Sequence, residues 1–485
     1  MIFFKSAASS PNYVPDESIY MRHPLQQISF EEPNQAWTIE ASAGTGKTWT
    51  IERLYIKALL EGSQPQNSNL PLTVENILVV TFTNDATNEL KERIGEQIDL
   101  TVNLLIYLNR ATNEITTDIN NDPFIEYLQQ RKFMPDYDHR KDILILTRAL
   151  QSFDSAAIYT IHGFCHRILQ DYQLECAVDG SFELVTTKRS LFEELVRNFF
   201  RVQIVNNPQL NTQLTTVYAN LEQLFSSNDG QLDLLERITG KLPADLLVLT
   251  ADGYKIKYDF PAMADLQNLT KEDLTAEELR VTKIQFLAAV SNYFLEYYPQ
   301  LASSLASLSY DELIQKVSLA LTSSKLLADK LFHEFPVAFI DEFQDTDSLQ
   351  WAIFSRIYQL TGVKRGNVVV VGDPKQAIYR FRGADVDTYL EARATINNSV
   401  ELAANFRSHP QIMNFINQLF DLENQGVDIE NSFLGNGIDY HAVAAVANSQ
   451  FTLPTAETLN ALAAEKQVAS SFYDELVQLV VIPGN

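Results

Sequence analysis

Only two cysteines, Cys165 and Cys176, occur in 485 residues. So few thiols exclude a disulfide framework and fit a reducing cytosol. Their C-x10-C spacing matches no zinc pattern. No apolar run is long enough to cross a bilayer. The opening stretch "MIFFKSAASSPNYVPDESIY" has a short apolar patch but no signal-peptide h-region, so it reads as a loose leader. Basic charge is scarce as well: 37 Lys and Arg stand against 62 Asp and Glu, a formal charge of −25. That balance excludes a protein coated with basic nucleic-acid-binding surface and leaves only local grooves for such contacts. Internal repeats and low-complexity tracts are missing. What remains is an acidic chain, 46 % hydrophobic, with length for two to four domains.

Five apolar runs, each joined to a helical pattern, dominate what is there. They are "AWTIEAS", "ENILVVTFT", "AAIYTI", "VAFIDEF" and "NVVVVGD", with "SVELAANF" as a sixth candidate strand. Continuous Val/Ile-rich runs alternating with helices predict an α/β fold, a parallel sheet covered by helices on both faces. Two long stretches interrupt it. One lies near 95–154. The other, 186–334, reads as helical, as in "LTAEELRVTKIQFLAAVSNYFLEYYPQL". The expected organisation is therefore a leader at 1–34, the first part of the core domain at 35–185, a helical subdomain at 186–334, the second part of the core at 335–404, and the start of another domain at 405–485.

"ASAGTGKT", Ala41 to Thr48, follows a strand and opens a helix. Ala41, Ser42, Ala43, Gly44, Thr45 and Gly46 form the bend of a phosphate loop, whose backbone N–H groups face an anion at a helix N-terminus. Lys47 is placed to reach the β- and γ-phosphates of a nucleotide, and Thr48 to ligate Mg²⁺. "FIDEFQDTD" puts four carboxylates into seven residues directly after a buried run. Like charges so close call for a cation. At the carboxyl end of a parallel strand, Asp341 is placed to hold Mg²⁺ and Glu342 to orient or deprotonate an attacking water. ATP and Mg²⁺ are the expected cofactors.

The phosphate loop, "DEFQDTD", "GDPKQAIYRFRGAD" and "NFRS" occur in the order found in superfamily-one helicases of the UvrD/Rep type, and "TFTNDATNELKERI", "TIHGFCHRIL" and "LSYDELI" add a likeness to its RecB branch. The chain resembles that family over residues 35 to about 420, most closely its RecB branch, the exodeoxyribonuclease V type. The resemblance implies a RecA-like fold, ATP-driven 3′–5′ DNA unwinding in double-strand-break repair, and RecC-like and RecD-like subunits as partners. It implies that Gln376 contacts the γ-phosphate, that Arg382 and Arg407 join its charge network, and that Phe406 stacks on adenine, where many relatives carry Tyr. Tyr379 and Phe381 are implied to stack on DNA bases, or else to pack in the core. Thr81, Thr83, Asn84, Thr160 and His162 are implied contacts to the DNA backbone, with a structural histidine as the alternative for His162. Gln26 is an implied reader of the adenine edge.

Beyond Arg407 the family's "TxHxxKGLE"-like and "ALTR"-like motifs and its nuclease domain are not recognised. The chain is thus expected to be the front portion of a longer protein, binding ATP but hydrolysing it weakly alone. Two further readings stay open: a non-catalytic nucleotide-binding module, and a UvrD-like or AddA-like helicase.

Overall fold

The structure, a computed structural model, describes residues 23–110, 122–134, 137–178, 182–185, 307–377, 386–420 and 440–446, with short pieces between 195 and 300. The chain divides into two compact units. One comprises Met1–Ile161 with Ala328–Asn485, and the other His162–Leu327.

The first unit is built on a six-stranded sheet: β1 (Ala36–Ala41), β2 (Ile77–Thr81), β3 (Ile158–Thr160), β4 (Val337–Ile340), β5 (Asn367–Gly372) and β6 (Ser399–Leu402). Its order is β6-β1-β5-β4-β2-β3. Every pairing is parallel, with Ile39 beside Val371, Phe339 beside Val369, and Val79 beside Ile158 in register. All six expected strands are present, and the sheet is RecA-like in kind.

Its strands are continuously apolar because both faces are covered. Ile39, Val79, Phe339, Val369 and Val371 belong to one buried cluster. Their sequence neighbours Leu78, Val80, Ala338, Ile340, Val368 and Val370 are equally buried but point the other way, since successive side chains alternate across a sheet. Edge strand β6 alternates exposed and buried residues instead.

The helices of this unit are α1 (Pro24–Gln27), α2 (Lys47–Glu61), α3 (Asn84–Arg110), α4 (Pro123–Lys132) and α5 (His139–Gln151). The second unit takes up α6 (Ile161–Asp171) from its second residue and α7 (Tyr310–Ser323), and α8 (Lys325–Glu334) leads back to the sheet. Three more follow in the first unit: α9 (Ser348–Tyr358), α10 (Val386–Ile396) and α11 (Pro410–Phe420). A short parallel pair, β7 (Ala404–Asn405) with β8 (Ala444–Ala445), lies just past β6.

Three findings differ from the sequence reading. Part of the stretch taken as a leader belongs to the core. Leu25, Ile28 and Phe30 are buried, and the Phe30 ring lies 5.9 Å from Phe339 at the sheet. The cause is a polar clamp from α2. Lys57 Nζ donates to the Leu25 carbonyl at 2.6 Å, and Glu61 Oε2 accepts from the Phe30 N–H at 2.9 Å. Next, no break in secondary structure falls at Gly95, near which the sequence reading began a helical insertion. Helix α3 runs through it unbroken, and a Cβ there would stand 3.1 Å from Phe153, so glycine permits a close crossing. Finally, the stretch read as helical holds an antiparallel pair, Leu247–Thr250 with Gly253–Ile256. Asp252–Gly253, at the start of the second strand, is a turn signal that the helical pattern around it obscured.

In the second unit, "LSYDELI" is an N-terminal helix signal. Ser309 caps α7, its Oγ accepting from the Glu312 N–H at 3.3 Å, while Glu312 Oε2 accepts from the Ser309 N–H at 3.0 Å. The Tyr298 hydroxyl adds a bond to Glu312 at 2.8 Å. Cys165 and Cys176 are buried free thiols.

Candidate active site

The site lies at the carboxyl edge of β1, β4 and β5, where a parallel sheet leaves its crevice. The bend after β1 turns through Gly44 at φ 81° and Gly46 at φ 88°, backbone regions that side chains resist. The bend is closed internally: Thr45 is buried and its hydroxyl donates to the Ser42 carbonyl at 2.7 Å. Lys47 then opens α2, whose free N–H groups face the same space.

Facing the bend is the end of β4. Lys47 Nζ meets Glu342 Oε2 at 2.5 Å. Glu342 takes a left-handed backbone, φ 51°, which costs a residue with a Cβ about 1 kcal/mol. The Glu342 N–H donates to Asp341 Oδ1 at 2.9 Å. Of the four clustered carboxylates, Asp347 is spent on capping α9, accepting from the Gln350 N–H at 2.8 Å. Asp341, Glu342 and Asp345 remain around one lysine.

Burial and the neighbouring negative charge both act on these carboxyls. Burial, with the Glu342 charge second and Lys47 opposing it, lifts the Asp345 carboxyl to about 6. Burial likewise lifts Asp341 to about 6, with Lys47 opposing and Glu342 adding. Asp345 Oδ1 is buried with no hydrogen-bond partner. Surplus carboxylate charge and an orphaned buried oxygen beside the bend suit a hard divalent cation such as Mg²⁺.

The chain just past β6 packs onto the glycine bend. Asn405, 1 % exposed, donates from Nδ2 to the Ala43 carbonyl at 2.8 Å. Its Oδ1 accepts from the N–H groups of Arg407 at 2.9 Å and Ser408 at 2.7 Å. The Phe406 N–H donates to the Gly44 carbonyl at 2.9 Å. A Cβ on Gly44 would come within 2.7 Å of Arg407 Cβ, so the close approach itself demands glycine.

Beside these groups opens a cavity of about 360 Å³, lined by His23, Thr45, Gly46, Trp49, Glu401 and Phe406 among others. Trp49 and Phe406 supply flat apolar surface, with the Arg53 guanidinium 4.0 Å over the Trp49 ring. Sequence reasoning missed Asn405, Trp49 and His23. Trp49 is the second residue after Lys47, so its place on the first turn of α2 was a usable signal. Nothing local distinguished the other two.

The remaining expected residues fall as follows. Gln376 sits at the end of β5, its Nε2 donating to Asp373 Oδ2 at 2.8 Å. Arg407 is exposed, as are Thr83 and Asn84 at the end of β2. Thr83 Oγ1 accepts from the Ala86 N–H at 3.1 Å, starting α3. Thr81 corrects the expectation of a DNA contact. It is 2 % exposed, and its hydroxyl is used on the Thr83 carbonyl at 3.2 Å and on Thr87 Oγ1. The strand is buried to its last residue, so the outward position falls to Thr83.

Thr160 is paired with Thr81 in register, and both it and His162 are half-buried. In the second unit, His162 meets the Tyr310 ring edge-on at 5.2 Å. Gln26 does not line the cavity; its amide donates to Glu126 at 3.0 Å, and His23 stands at the cavity instead. Tyr379, Phe381 and Arg382 lie outside the described residues.

Comparison with known proteins gives one family. The family profile described as the UvrD/REP helicase N-terminal domain matches residues 23–397. The chain is similar to RecBCD enzyme subunit RecB of Haemophilus influenzae, 30 % identical over 87 % of this chain and 41 % of that protein. It is similar to the RecB subunit of Escherichia coli, 29 % identical over 85 % of this chain and 39 % of that protein. For Chlamydia trachomatis the values are 28 %, 85 % and 45 %. The chain thus spans less than half the length of each of these relatives.

Proposed function

Because the chain belongs to the UvrD/REP helicase family, we propose that it couples ATP hydrolysis to 3′–5′ movement along single-stranded DNA. In this reading it is the motor of a RecBCD-type helicase–nuclease, repairing double-strand breaks in the cytoplasm with RecC-like and RecD-like subunits. The observation that carries the reading is the meeting of Lys47 and Glu342 at 2.5 Å, beside Asp341, across a glycine-rich bend.

A triphosphate entering the bend competes with Glu342 for the Lys47 ammonium. Thr48 and Asp341 would hold Mg²⁺, which when bound offsets charge on the β- and γ-phosphate oxygens. Glu342, released from Lys47, accepts a proton from water. The water oxygen bonds to the γ-phosphorus, and the bond to the bridging oxygen of ADP breaks. Arg407 and Arg382 supply charge to the leaving and transferred phosphates, and Gln376 exchanges Asp373 for the γ-phosphate. Trp49 and Phe406 take the base between flat surfaces. For the DNA backbone, Thr83, Asn84 and Thr160 are the candidates in the first unit, and His162 is a separate one in the second. Their hydroxyls, amide and ring nitrogen bind phosphate without reading sequence. Tyr379 and Phe381 would stack on bases.

The test is ATP turnover with and without single-stranded DNA. Wild type alone is expected to show weak turnover that DNA stimulates. Lys47→Ala and Glu342→Gln should each lose about 10²-fold or more. Turnover indifferent to both DNA and Lys47→Ala would refute the reading. Nucleotide binding without DNA-stimulated turnover would favour a non-catalytic module.

A further inference from the structure

Gln344 has no part in the chemistry above, yet it is 2 % exposed and both ends of its amide are committed. Its Oε1 accepts from the Asp373 N–H at 3.0 Å. Its Nε2 donates to Glu342 Oε2 at 2.6 Å. The first bond dictates the second. A backbone N–H only donates, so the carbonyl end must face Asp373 and the amino end is left for Glu342.

Glu342 needs such a hold. Its left-handed backbone at φ 51° caps the following turn with no side-chain bond. Lys47 and Gln344 both meet Oε2, while Oε1 carries neither. Lys47 is the partner that a phosphate would draw away. Gln344, fixed from behind by β5, is the one that stays. The room for it is kept by Gly372, where a Cβ would stand 2.8 Å from Gln344 Oε1 and 3.2 Å from Tyr389.

We propose that Gln344 is a positioning residue, whose amide grips the Glu342 carboxylate by Oε2 and so presents Oε1 to the attacking water. The same amide ties Glu342 to the Asp373–Gln376 corner at the end of β5. This role rests on the hydrolytic reading of Glu342.

Two variants separate the ends of the amide. Gln344→Leu removes both bonds. Gln344→Glu keeps the shape and the acceptor for Asp373 but loses the donor to Glu342. In DNA-stimulated ATP turnover of the full chain, both variants should lose about tenfold or more in kcat, with KM for ATP held within about threefold. If Gln344 only braced the Asp373 corner, Gln344→Glu would retain wild-type kcat, and that result overturns the proposal.

A second readout needs no turnover. At pH 8 Gln344→Glu sets two carboxylates against each other and should lower Tm by about 2 °C or more. The double variant Glu342→Gln/Gln344→Glu reverses donor and acceptor and should recover most of that loss. An unchanged Tm, or a double variant no better than Gln344→Glu, also overturns the proposal. Wild type without turnover strikes the hydrolytic reading instead and leaves the thermal comparison to decide the grip on Glu342.

Discussion

At the scale of single residues, His23 shows how the fold adjusts chemistry at the cavity wall. Its Nδ1 accepts from the Leu25 N–H at 3.3 Å, starting α1, and its ring meets Trp49 edge-on at 5.5 Å. Burial first, and the Arg53 charge second, lower its pKa to about 4 from 6.5. The unfolded chain therefore binds a proton that the folded chain refuses between those values. Stability is retained above pH 6.5 and lost as pH falls from 6.5 towards 4. His23→Asn should flatten that part of the Tm–pH profile by a few °C, and an unchanged slope would refute the assignment. Lys47, Asp341, Glu342 and the two glycines were legible in the sequence because a motif lists them at fixed spacing. Asn405 was not. Its amide spans from one end of the chain's core to the other, bonding Ala43 across 362 positions, and no local pattern encodes such a partner.

Among elements, legibility followed burial. Strands β4 and β5 announce themselves as uninterrupted apolar runs because both their faces are covered. Helix α1 has four residues, too short for any periodicity, and owes its place to Lys57 and Glu61 on α2. Lys57 is 5 % exposed and pairs with Glu61 at 3.6 Å, so its loss strands a buried carboxylate and frees the Leu25 carbonyl. Lys57→Met keeps the aliphatic stem and should still cost about 3–5 kcal/mol in urea unfolding followed by tryptophan fluorescence. A cost below about 0.5 kcal/mol, the range of ordinary surface changes, would contradict the clamp. Gly95 was misleading for the opposite reason: a glycine reads as a break, but here it lets α3 pass Phe153.

For the whole molecule, a formal charge of −25 is compatible with the proposed nucleotide site because that site would use few cations, each placed by the sheet. Composition set the limits on solubility and on non-specific DNA binding but said nothing of where Lys47 would lie. The topology brings β1 and β4 to either side of β5, and this closes the distance between residues 295 apart in sequence, Lys47 and Glu342, to 2.5 Å. Among the described residues, no helix is long and apolar enough to cross a membrane. On the proposed function, this one pocket receives a magnesium-bound triphosphate. Equilibrium binding of a fluorescent ATP analogue with Mg²⁺ tests it most directly. Wild type should bind saturably, unlabelled ATP should displace the probe, and Lys47→Ala should weaken binding about tenfold or more, the loss of one charge-assisted contact worth roughly 1.5–3 kcal/mol. Equal affinity in wild type and Lys47→Ala would contradict the account.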